Sequence, residues 1–127
     1  MGGGVTEIAG WAYGLLALAP AIMQVGLAWC APWGHLTLGG QYPGVLPPGL
    51  RIGALVQSLI LLLMAASVTQ RAGVLDAGLP DWSIWPALAI TVLTTIGNLA
   101  TPSIPERRLW GPVTVAMLAA ILVVIFA

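Results

Sequence analysis

Few side chains in this sequence could act as acid, base, nucleophile or metal ligand. The one histidine, His35, follows the one cysteine, Cys30, by five residues, inside or beside the stretch APWGHLTLGGQYPGVLPPGLR at 31–51. A metal site takes three or four His, Cys or carboxylate ligands. No third ligand accompanies this pair, so no metal is expected, and His35 reads as a hydrogen-bonded structural residue. A single cysteine also leaves no internal disulfide to form. Glu106 could serve as a general acid or base. It stands three residues after Ser103 in Ser103-Ile104-Pro105-Glu106, the spacing of a capping box with Ser at N-cap and Glu at N3, which accounts for it without catalysis. Asp76 and Asp81 flank the turn DAGLPDW and do not form a catalytic pair; Asp81 or Ser83 suits the cap of a following helix. No Ser-His-Asp, phosphate-loop or dinucleotide signature occurs. No catalytic residue is assigned and no cofactor is expected. A membrane enzyme using Glu106 or His35 stays open as the least favoured reading.

The arginines are the other chemical resource. Arg51, Arg71, Arg107 and Arg108 are the only basic residues, and lysine is absent. Arg107 and Arg108 fall near a helix start, where the macrodipole disfavours cations. Their partner is then a lipid phosphate at the interface or an anionic ligand in a polar pocket, which Arg51 could also reach. Net charge is zero, so no electrostatic footprint for nucleic acid exists.

These residues sit in a chain built for lipid. Of its 127 residues, 59% are hydrophobic and 6% charged, against about 25% charged in a soluble domain. The apolar residues come in blocks of about the 20 that span a bilayer as helix. They predict an all-α membrane protein, a single domain over 1–127, with four spans at about 5–29, 50–68, 84–100 and 109–127, packed as an antiparallel bundle. Backbone groups in lipid must be satisfied within the segment, which favours helices. The spans carry no charge in mid-membrane, which argues against an ion-coupled transporter. Trp11, Tyr13, Trp82 and Trp85 fall at one set of ends and Trp29, Trp33, Tyr42 and Trp110 at the other, as two interfacial belts. Thr101-Pro102 stops the third helix, so helices three and four join through a very short turn. Pro20 should kink the first helix.

MGGGVTEIAGW lacks a positive n-region and a clear cleavage site, so the first span reads as retained rather than as a signal peptide. Its start also fits a loose myristoylation pattern. Three arginines flank one side of the spans and one the other. This predicts a cytoplasmic 31–50 loop and 101–106 turn, with both termini outside.

Two stripes run along the spans at helical spacing. Gly10, Gly14, Ala17, Ala21, Gln24 and Ala28 form one; Thr91, Thr94, Thr95 and Asn98 form the other. Small residues let another backbone approach. Each stripe is either a packing seam or the wall of a ligand cavity. Gln24 lies about 9 Å from the end of its helix, and Gln57 is at a similar depth in the next. A candidate polar pocket therefore gathers Gln24, His35, Arg51, Gln57, Asn98, Glu106, Arg107 and Arg108 at one end, under the Gly/Pro/Trp-rich 31–51 loop acting as a lid or re-entrant cap.

Together PWGHLTLGG…GVLPPGLR, Asn98 and SIPERRLWGPV resemble a group of small four-span bacterial membrane proteins with no assigned activity. Trp33-Gly34, Gly39-Gly40, Leu46-Pro47, Leu50-Arg51 and Ser103…Glu106-Arg107…Trp110-Gly111-Pro112 carry the likeness, which covers most of the chain. It implies a bacterial inner-membrane protein and brings no reaction, cofactor or partner. The leading expectation is a non-enzymatic subunit or interaction protein, in contact with the lipid bilayer and with other membrane subunits or its own copies. The alternative is a binder or carrier of a small amphiphilic or anionic molecule at the polar end.

Overall fold

A computed structural model describes residues 3–127. Met1 and Gly2, on which the leader and myristoylation readings fall, lie outside the described residues. Four helices make up the body: α1 (Gly3–Ala28), α2 (Pro48–Arg71), α3 (Ile84–Ala100) and α4 (Ile104–Phe126). Between them lie short 3-10 turns at Gly34–Leu36, Leu38–Gly40 and Asp81–Ser83, and there is no strand among the described residues. All four helices are long and apolar enough to cross a membrane, α3 together with the Asp81–Ser83 turn that precedes it. Much of each span faces outward with large apolar side chains such as Leu15, Ile22, Leu59, Leu93 and Ile96. Water would penalise such a surface, whereas lipid tails solvate it.

The helix ends differ from the expected spans for local reasons. Proline is tolerated in the first helical turn, where its missing N–H has no partner to lose, so α2 begins at Pro48. It ends in a Schellman motif: Gly73, in the left-handed region at φ 79°, sends its N–H to Gln70 O, and Val74 N–H reaches Thr69 O. Thr101, extended ahead of Pro102, stops α3. The fourth helix starts after the expected N-cap, Ser103, and so five residues before the expected 109–127 span, because Ser103 Oγ accepts the N–H of Glu106 at 3.3 Å and Pro105 suits the first turn. That early start places Pro112 inside α4, where its missing N–H frees the carbonyl of Arg108.

Small residues set the packing. α1 packs chiefly on α2, and a Cβ added to Gly10 would collide with Ala72 Cβ. Farther along, Gly14 faces Thr69, and Ser58 Oγ donates to the Ala21 carbonyl at 3.2 Å. The Gly10, Gly14, Ala17, Ala21 stripe thus meets α2 of its own chain, with Ala17 and Ala21 buried. Partner numbers on α2 fall as those on α1 rise. Against α3, Tyr13 is fully buried, and its hydroxyl lies 2.7 Å from Thr91 Oγ1. Thr91 spends its own proton on the Ala87 carbonyl, so Tyr13 is the donor. Tyr13 is therefore a core residue and not part of an interfacial belt, because its hydroxyl finds a partner in the interior. Thr95 Oγ1 lies within hydrogen-bond reach of the Thr91 and Thr114 carbonyls, at 2.7 and 3.1 Å, which links α3 to α4.

Gly10→Leu should lower the thermal unfolding midpoint of the detergent-solubilised protein, corresponding to about 1–3 kcal/mol of overpacking. A midpoint within error of wild type would mean that α1 and α2 do not meet at that position.

Candidate functional site: a capped cavity between the helices

α2 packs mainly on α1, and α3 mainly on α4. At the end away from the long loop, α2 and the start of α3 are joined by Ser67 Oγ and Ser83 Oγ, 2.7 Å apart. Toward the loop they separate and leave a cavity of about 720 Å³, within the range of small-molecule sites. Two glycines help to keep it open: a Cβ added to Gly53 on α2 or Gly97 on α3 meets nothing within 4 Å, and both line the space.

Helical spacing selects the walls. On α2 the lining residues are Leu50, Ala54, Gln57, Leu61 and Met64, and on α4 they are Glu106, Trp110, Thr114 and Met117. Both sets recur every three or four residues, so each forms one face. α1 adds Pro20, Met23 and Gln24, and α3 adds Thr94 and Asn98. The cavity is graded. Amides and the carboxylate lie toward the loop, while Met64 sits seven residues, or about 10 Å, deeper than Gln57 along α2. Met23, Met64 and Met117 are flexible and polarisable, suited to an adaptable apolar wall.

The 29–47 connection closes the top, contributing Leu36, Thr37, Leu38, Gly39, Gln41 and Leu46. It is folded on itself by Gly34 N–H to Gly44 O at 2.8 Å. Leu38, Gly39 and Gly40 take left-handed conformations in succession, at φ 52°, 68° and 75°, which suits the two glycines and strains the leucine. The start of α4 then holds it down. Trp110 Nε1 donates to Leu36 O at 3.1 Å, Ser103 Oγ to His35 O at 2.9 Å, and Gly39 N–H to Glu106 Oε1 at 3.1 Å. Leu46 is buried with Met23, Leu27, Ala54 and Trp110. Trp110 is therefore under the cap rather than in an aromatic belt.

The expected site residues divide evenly. Gln24, Gln57, Asn98 and Glu106 line the cavity; His35, Arg51, Arg107 and Arg108 do not. His35 is exposed and offers its carbonyl, not its ring, to the tether. Arg51, about 100° around α2 from Leu50, turns to Cys30 Sγ at 2.8 Å, and its Nε is buried without a partner. Arg107 donates to the Thr101 carbonyl at 3.2 Å, and Arg108 is exposed. One and two residues past Glu106, both fall off the face that Glu106 and Trp110 share. The threonine stripe also splits: Thr91 and Thr95 are in the seam, Thr94 and Asn98 on the cavity wall.

Glu106 departs from the reciprocal capping box. Ser103 does cap its N–H, but Ser103 N–H goes to Thr101 Oγ1 at 3.2 Å. The Glu106 carboxylate instead accepts from Thr101 Oγ1 and Gly39 N–H, both on Oε1, and the residue is only 8% exposed. It is the one ionisable side chain in the cavity lining. Among the described residues no group of three His, Cys, Asp or Glu converges to hold a metal. Trp110, Thr114 and Met117 were legible as a continuation of the Glu106 face at steps of four, four and three residues. Thr37, Gln41 and Thr101 had no such signal, because irregular backbone carries them.

Trp110→Phe removes one cap tether of about 1 kcal/mol while keeping the ring. Hydrogen–deuterium exchange of amides in 34–44 should speed up several-fold, with α1 and α2 unchanged; equal protection in wild type and variant would show that the indole does not hold the cap. Compared with known proteins, the chain matches no protein-family model, no curated protein and no solved structure.

Proposed function

We propose that this chain is an integral membrane protein that holds a small amphiphilic molecule beneath the 29–47 cap, inside an antiparallel four-helix bundle. The carrying observation is the 720 Å³ cavity, walled by all four helices, polar at its capped end and apolar at depth apart from Thr94 and Thr114, whose hydroxyls donate to carbonyls of their own helices. An amphiphile places its head among Gln24, Gln57, Asn98 and Glu106 and its chain along Leu61, Met64 and Met117. The bacterial inner membrane, with the cap on the cytoplasmic side, belongs to the same reading and rests on the arginine distribution and the resemblance of the cap and α4 motifs.

The competing reading, a non-enzymatic subunit or interaction protein of a larger assembly, rests on the small size of the chain, its uncharged small-residue seams and its lack of a catalytic constellation. One of those seams, the Gly10, Gly14, Ala17, Ala21 stripe, is packed against α2 within the chain and so does not offer that face to a partner. A catalytic role for Glu106 or His35 has less support: Glu106 is engaged with the cap and His35 lies outside the cavity.

Gly97→Phe tests the proposal by filling the space. The added side chain meets no atom at its Cβ, and replacing a mid-helix glycine by phenylalanine recovers a few tenths of a kcal/mol of helix propensity. The variant should therefore fold with an unchanged or higher unfolding midpoint. In native mass spectrometry after mild detergent extraction, a defined small added mass should accompany wild type and be lost from Gly97→Phe. No adduct on wild type, or the same adduct on both, would overturn the cavity as a binding site.

A further inference from the structure

The lining of the cavity restricts the charge of what it takes. Glu106 is its one ionisable group, more than nine-tenths buried. Both hydrogen bonds to its carboxylate from described residues fall on Oε1, and Oε2 receives none. An ionised carboxylate only accepts hydrogen bonds, and burying one without a counter-charge is costly. The nearby cations do not supply that charge: Arg107 is turned to the Thr101 carbonyl and Arg51 to Cys30. The amides of Gln24, Gln57 and Asn98 complete a neutral polar shell that accepts as well as donates.

An anionic head would meet Glu106 with no cation in the lining to offset the repulsion. An ammonium head would bring three donors and the missing counter-charge. We infer that the cavity selects an amphiphile with a cationic amine head, bound through Oε2 of Glu106, with its apolar chain toward Met64 and Met117. This inference rests on the amphiphile-binding reading above and specifies its ligand class.

The test uses decylammonium, decanol and decanoate, equal in chain and different in head, titrated onto the full chain in zwitterionic lipid nanodiscs and read by native mass spectrometry. Wild type should hold decylammonium at least about tenfold tighter than decanol, the scale of a charge-assisted hydrogen bond in a buried site, and decanoate most weakly. Glu106→Gln keeps an acceptor for Thr101 and Gly39; it should bring decylammonium down to the decanol value and leave decanol unchanged. The preference in wild type stands as a test even if that variant does not fold. Equal binding of decylammonium and decanol in wild type, or a preference for decanoate, would overturn the head-group inference while leaving the cavity as a binding site, provided that Gly97→Phe abolishes the binding. If none of the three binds, or if binding survives Gly97→Phe, the cavity reading fails and this inference fails with it.

Discussion

Glu106 Oε1 accepts the Thr101 hydroxyl and the Gly39 N–H, and through that oxygen three parts of the molecule meet. The α3–α4 turn is closed by Thr101, the cap is anchored at Gly39, and the carboxylate itself stands in the cavity wall. The cap needs this anchor. Its backbone is irregular, with three consecutive left-handed residues, and polar backbone near lipid is tolerated only where protein or water satisfies it. The α4 start supplies the satisfaction from Glu106, Ser103 and Trp110, residues that lie within seven positions of one another and in or beside the first two turns of one helix.

Glycine serves two opposite ends in the same bundle. At Gly10 the missing side chain lets α1 and α2 come together, and even one methyl group would collide with Ala72. At Gly53 and Gly97 the missing side chain leaves room that nothing else occupies. Close contact in one half of the molecule and empty space in the other follow from the same residue type, distinguished by what lies opposite. The aromatics divide similarly. Trp11, Trp29, Trp82 and Trp85 remain outside, whereas Tyr13 and Trp110 turn inward because Thr91 Oγ1 and Leu36 O accept their protons. An amphipathic ring at a helix end suits a lipid interface or a hydrogen-bonded interior equally well.

Much of the architecture was legible beforehand. Composition and apolar block length determined four helices able to cross a membrane, since lipid leaves the backbone few other choices. Thr101-Pro102 determined the α3 stop, and Ser103 the α4 start, because these signals act within one turn. The 3.6-residue period brought Gln24, Gln57 and Asn98 to the cavity end, and it separates Arg107 and Arg108 from Glu106 for the same geometric reason.

What only the tertiary structure decided is which partner each face meets. A stripe of small or hydroxyl-bearing residues specifies a surface that something can approach, but not whether that is another helix, a ligand or nothing. The Gly10 stripe closes on α2, and the threonine stripe splits between the seams with α1 and α4, at Thr91 and Thr95, and the cavity. Glu106 could have reached back to its own N-cap; it reaches Gly39, 67 positions away, because the cap brings an unpaired N–H there. Local signals set the helices, since their hydrogen bonds close within four residues. The cavity arises where α2 and α3 lean on different neighbours, and no spacing within one segment encodes that divergence.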